Sequence, residues 1–86
     1  MINVKEAVAQ AKQYLVDLFG EEQLYDLNLE EAELSEDDRY WFITLSFTRR
    51  VKDPSALHLL TSKRDYKAIK IDSSSKEVKA MKIRVA

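Results

Sequence analysis

The chain has 86 residues, 45% of them hydrophobic and 34% charged, with a formal net charge of −1. That leaves room for one modest core and not two, and it is too apolar for a disordered segment, so residues 1–86 read as a single domain. There is no cysteine, which excludes disulfides, thiol chemistry and Cys-based zinc or iron–sulfur centres and suits a reducing, cytoplasmic setting.

The first predicted element is a helix over about residues 3–19. Asn3 and Glu6 have the spacing of a capping box. Val4, Val8, Ala11, Leu15 and Leu18 then form an apolar stripe, widened by Tyr14 and Phe19. Gly20, the only glycine, stands where a helix stops. Lys5, Glu6 and Lys12 interrupt what a signal peptide would need as an apolar run. Nothing in the chain approaches the ~18 apolar residues of a membrane span.

A first strand is predicted over about 24–34. Tyr25, Leu27 and Leu29 are odd and Ala32 and Leu34 even, so a β-bulge near Glu30–Glu31 is needed to keep them on one face. The turn Ser35–Asp38 leads into a second strand, about 39–48, pairing Leu34 with Arg39, Leu29 with Ile43 and Tyr25 with Phe47. Trp41, Ile43, Leu45 and Phe47 form its inner set; Tyr40, Phe42, Thr44, Ser46 and Thr48 fall on the outer face. Residues 49–63, which contain the lone Pro54, read as a long loop. A closing hairpin follows, with strands about 64–72 and 77–85. A two-residue loop at Ser74–Ser75 pairs Ile71 with Val78, and the parity change between Ala80 and Met81 calls for a second bulge. The expected architecture is α+β, one helix packed on a curved four-stranded antiparallel meander in the order α-β-β-β-β.

Few residues promise chemistry. The run Glu30–Asp38 is rich in carboxylates but lacks the register and glycine of a calcium loop, so it reads as a solvated hairpin and no metal is assigned. His58, the only histidine, lies near Asp53, Ser55, Thr61 and Ser62 without a nucleophile motif. No catalytic residue, cofactor or small-molecule ligand is assigned, and the reading is non-enzymatic.

Charge is more informative. Residues 1–48 carry three basic and eleven acidic side chains, and residues 49–86 eleven basic and four acidic. An outer face with Tyr40, Phe42 and Tyr66, beside the 49–63 loop, points to a protein partner or a second copy. The alternative is a nucleic-acid or phosphate surface on the basic half, with Arg49, Arg50, Lys63 and Arg64 as first contacts. A pI near 5.8 weighs against it.

The helix "VKEAVAQAKQYL", the strand "YWFITLSF" and the hairpin "YKAIKIDSSSKEVKAMKI" together resemble the small PepSY-like domains, similar in outline to cystatin-like folds. Asp72, Ser75 and Val78 match their closing hairpin, and Lys76 stands where it usually has glycine. The resemblance implies a helix on a curved antiparallel sheet and a regulatory or inhibitory module without catalytic residues.

Overall fold

The computed structural model describes the backbone of residues 1–20, 24–52 and 60–84, and the side chains of 1–20, 24–48 and 64–83. One helix, α1 (Val4–Phe19), precedes four strands, β1 (Tyr25–Leu34), β2 (Tyr40–Lys52), β3 (Leu60–Asp72) and β4 (Val78–Arg84). The strands form one open antiparallel sheet in the order β1-β2-β3-β4, as the sequence leads one to expect.

The helix starts on the anticipated capping box. The Asn3 side chain accepts from the Glu6 N–H at 2.9 Å, and the Asn3 N–H donates to the Glu6 carboxylate at 3.2 Å. It ends at Gly20, whose φ of 82° is costly for a residue with a Cβ. The buried face differs from the predicted stripe. Ala7, Ala11 and Leu15 are fully buried, while Val4 is 40% and Leu18 52% exposed. Two alanines at a spacing of four let the helix lie close on the sheet. Turning that line inward moves the larger Val4 to the flank.

The core is the layer between this line and the two central strands. Ile43, Leu45 and Phe47 of β2 and Ile69 and Ile71 of β3 are fully buried, with Ile2 sealing one end. Phe19 closes the other end against Phe47, ring centroids 5.7 Å apart. Trp41, assigned to the inner set, is half-buried at the core's margin. Its indole N–H donates to the Ile2 carbonyl at 3.1 Å. Ser73 completes that end: its carbonyl accepts from the Ile2 N–H and its hydroxyl donates to the Asp38 carbonyl.

Three features of the register were not foreseen. The first hairpin is shifted by two residues, with Leu34 opposite Trp41 and Leu29 opposite Leu45. Ser35 is the cause. Its N–H donates to the Tyr40 carbonyl, its hydroxyl accepts from the Tyr40 N–H, and Asp37 bridges the Ser35 hydroxyl and the Arg39 N–H. The connection is therefore Glu36–Arg39, and a shift of two leaves Leu29, Ala32 and Leu34 on their expected face, whereas Tyr25 lies opposite Thr48 of the outer set and not Phe47. The bulge expected at Glu30–Glu31 is present, and a second lies between Tyr25 and Asn28, where Asp26 has φ 52°. In the last hairpin Ile71 pairs with Val78 as expected, but the bulge falls at Lys79, so Ile69 meets Met81.

The predicted 49–63 loop is a correction of another kind. β2 continues to Lys52 and β3 begins at Leu60, in unbroken register from Thr48↔Arg64 to Lys52↔Leu60. Pro54 bars a strand from its own position, not from the four residues preceding Asp53. Pro54 itself lies outside the described residues. β1 pairs with β2 only as far as Thr48, and β4 with β3 only as far as Tyr66. Among the described residues the end of the β2–β3 pair is thus a two-stranded ribbon, which accounts for the 50 × 23 × 18 Å extents.

Four strands span about 19 Å across the sheet, and a helix with its side chains about 10–12 Å. The helix therefore covers a central strip and leaves both margins open. No helix among the described residues is long and apolar enough to cross a membrane.

Candidate functional site

Three surfaces compete for a functional role: the outer face of the sheet, the ribbon and the two sheet edges. On the outer face the parity is as expected, because Tyr40, Phe42, Thr44, Ser46 and Thr48 lie opposite the helix. Phe42 is 37% exposed and Tyr40 half-buried. The Tyr40 ring carries the Lys70 ammonium 4.1 Å from its centroid and the Arg39 guanidinium at 6.0 Å, within cation–π reach. Tyr66 pairs with Ser46, four residues along β2 from Phe42, or about 13 Å. The structure brings Tyr40 and Phe42 together and leaves Tyr66 apart, with Thr44 and Ala68 between them.

That gap is a sealed polar joint rather than an aromatic patch. Thr44 and Ser46 are buried, although no second layer of described residues covers them. The Ser46 hydroxyl donates to Glu30 at 2.6 Å and accepts from Arg64 at 2.7 Å, and Arg64 also donates to the Thr48 hydroxyl at 3.1 Å. Arg64 and Glu30 lie 4.0 Å apart. Arg64, foreseen as a phosphate contact, is therefore a strut across three strands. Sequence reasoning missed this joint; the signal was two small hydroxyl residues at alternate positions of an otherwise aromatic strand.

Arg49 and Lys63 are partners in the ribbon's backbone register, and Arg50 is opposite Ser62. These basic positions lie seven or more residues from Phe42 along β2, roughly 23 Å. The aromatic and basic candidates are two separate groups. His58, with Asp53 and Ser55, lies outside the described residues, as do the side chains of Thr61 and Ser62. Among the described residues no group of three or more His, Asp or Glu side chains converges to hold a metal ion. The acidic turn instead uses its carboxylates locally. Asp37 is held below the usual aspartate range by the Ser35 hydroxyl and the Arg39 N–H, and Asp72 by the N–H groups of Ser75 and Ser74.

The edges differ most from expectation. β1 was to be half core, yet it is exposed along most of its length, with Leu29 at 46%. Beside it a groove of about 340 Å³ runs along α1, lined by Val4, Val8, Ala9 and Leu29 with Lys5 and Lys12. At the opposite margin Ile83 of β4 is 76% exposed. Within its bounds β1 has four acidic residues and no basic one, and β4 three basic and no acidic one.

A comparison of the chain with family models, with curated proteins and with solved structures returns no match.

Proposed function

We propose that this chain is a small non-enzymatic protein-interaction or self-associating module that engages other chains through its sheet. Strand addition at the edges does the main work, and the outer face around Tyr40 and Phe42 adds to it. One observation carries the reading. Among the described residues the sheet is open on both sides, and exposed apolar side chains, Leu29 and Ile83, sit beside its two edges. An edge strand presents a row of backbone donors and acceptors that another strand can complete, while flanking pockets select its side chains. The resemblance to PepSY-like regulatory domains is in keeping with this, and a chain without cysteine suits work in the cytoplasm.

Selection of peptides from a random displayed library on the folded domain, followed by amide hydrogen exchange of each complex, tests the proposal. Bound peptides should protect backbone amides of β1 or β4. Failure to enrich any peptide, or protection confined to residues 49–63, would remove it.

A second reading has its own support. The ribbon carries Arg49, Arg50, Lys52 and Lys63 on two paired strands that extend past the helix, and two-stranded ribbons of this size fit a nucleic-acid groove. Under that reading fluorescence anisotropy with labelled duplex and single-stranded probes shows binding that weakens steeply between about 50 and 200 mM salt.

A further inference from the structure

The two edges of this sheet are complementary to each other. Cross-strand partners define rows that run the full width of the sheet. One row is Leu29–Leu45–Lys67–Ile83, on the helix side. The next is Glu31–Thr44–Ala68–Lys82, on the outer side. Each row ends in residues that match. The first has a half-exposed leucine at one end and an exposed isoleucine at the other. The second has a carboxylate at one end and an ammonium at the other.

Strand direction agrees. With every neighbouring pair antiparallel, β1 and β4 run in opposite directions. A second copy displaced sideways by one sheet width therefore sets its β1 antiparallel to the first copy's β4, and the alternation continues unbroken. Kept in row, this contact puts Ile83 against the neighbour's Leu29 and Lys82 against its Glu31. The helices stay on one side, with about 7–9 Å of sheet left between them, given a sheet near 19 Å and a helix of 10–12 Å. Leu29 is also a wall of the groove along α1, so the incoming isoleucine covers apolar surface that the single chain leaves wet.

Charge then selects the mode. Pairing β1 with β1 opposes two purely acidic strands, and pairing β4 with β4 two purely basic ones; like charges directly opposite disfavour both. Only β1 against β4 joins opposite signs. We infer that the partner of the open edges is a second copy of this chain, added head to tail through β4 and β1. This inference rests on the strand-addition reading above and names its partner. Such a contact is heterologous, so it does not end at a dimer. It grows until the sheet's twist closes a ring or leaves a helical filament.

The test is analytical ultracentrifugation of the wild type, of Glu31→Lys, of Lys82→Glu and of an equimolar mixture of the two variants, each over a wide concentration range at low salt. The wild-type mass should climb with concentration without a plateau at two copies, and should fall back in high salt. Each variant alone opposes like charges at every junction and should associate about tenfold more weakly. The mixture should recover wild-type association, because where the two variants alternate, native edge meets native edge and reversed edge meets reversed edge, so opposite charges face each other at every junction. Recovery on mixing is beyond a pair of misfolded variants. A wild type that stays monomeric, a plateau at two copies, or assembly indifferent to Lys82→Glu would each overturn the inference. A monomeric wild type whose edges still bind selected peptides would remove the self-partner and leave strand addition standing.

Discussion

Leu45 and Leu29 occupy one row of the sheet and one face of it, yet Leu45 is fully buried and Leu29 is 46% exposed. Ile69 and Ile83 repeat the contrast across the molecule, the first fully buried in β3 and the second 76% exposed in β4. The side chains are chemically equivalent, so the difference lies in what stands over them. One helix brought close by Ala7 and Ala11 shields the two central strands and touches both margins without covering Leu29 or Ile83. Facing inward is a property of the strand, whereas being buried is a property of the layer above it. In a sheet with a single helix these separate, and the margin is where apolar surface stays exposed.

The largest expected effect tests that division directly. Leu45→Ala or Phe47→Ala should cost about 2–5 kcal/mol, from lost transfer energy and a cavity the core cannot fully close. Leu29→Ala and Ile83→Ala in dilute solution should stay within about 0.5 kcal/mol of wild type. Urea denaturation midpoints with unchanged slopes provide the readout. Equal costs at both places would mean that the margins are covered after all.

A smaller effect, of opposite sign, is expected in the turn that ties margin to centre. Lys76 has φ 68°, a left-handed conformation that costs a residue with a Cβ about 1–2 kcal/mol. Lys76→Gly should therefore stabilise the domain, by about 1 kcal/mol after glycine's greater entropy in the unfolded chain is counted. It also removes the exposed Lys76–Glu6 contact at 3.4 Å, which is worth little. A loss of stability would mean that the contact outweighs the backbone strain.

The smallest effect is one of pH in the same turn. Asp72 accepts from the N–H groups of Ser74 and Ser75 at 2.8 and 2.9 Å, and these bonds hold its carboxyl below the ordinary range. A depressed folded-state value means the group favours folding above its unfolded pKa, near 3.9. That contribution fades as the pH falls through the lower folded value. Urea midpoints of Asp72→Ala should lie below wild type at neutral pH and converge on it in acid. Midpoints that stay parallel down to low pH would show that the turn does not depend on the charge.

How far the molecule could be read beforehand follows from the range of each signal. The capping box at Asn3 and Glu6, the stop at Gly20 and the inward set Ile43, Leu45 and Phe47 rest on neighbouring residues, and all are present. The bulges near Glu30 and in β4 were legible from changes of parity to within a residue or two, whereas the one between Tyr25 and Asn28 was not. The hairpin register missed by two because Ser35 and Asp37 both bond the Tyr40–Arg39 backbone, which a count of loop residues does not contain. The Glu30–Ser46–Arg64–Thr48 joint joins three strands, and its only local trace is the pair of small hydroxyl residues, Thr44 and Ser46, in an aromatic strand. Of the candidate binding residues, Tyr40 and Phe42 share a surface as anticipated. Tyr66 does not join them, because cross-strand pairing sets it beside Ser46.

By itself, then, the sequence determined the α-β-β-β-β order, the face of the strand residues away from the unforeseen bulges, the caps and the charge of each strand. All of these depend on spacings of a few residues, set by backbone periodicity and by sterics at the turns. Only the tertiary structure decided which inward-facing residues are buried, which polar groups are joined across strands, and which edges are left open. Those depend on the width of one helix against four strands and on which strand stands next to which.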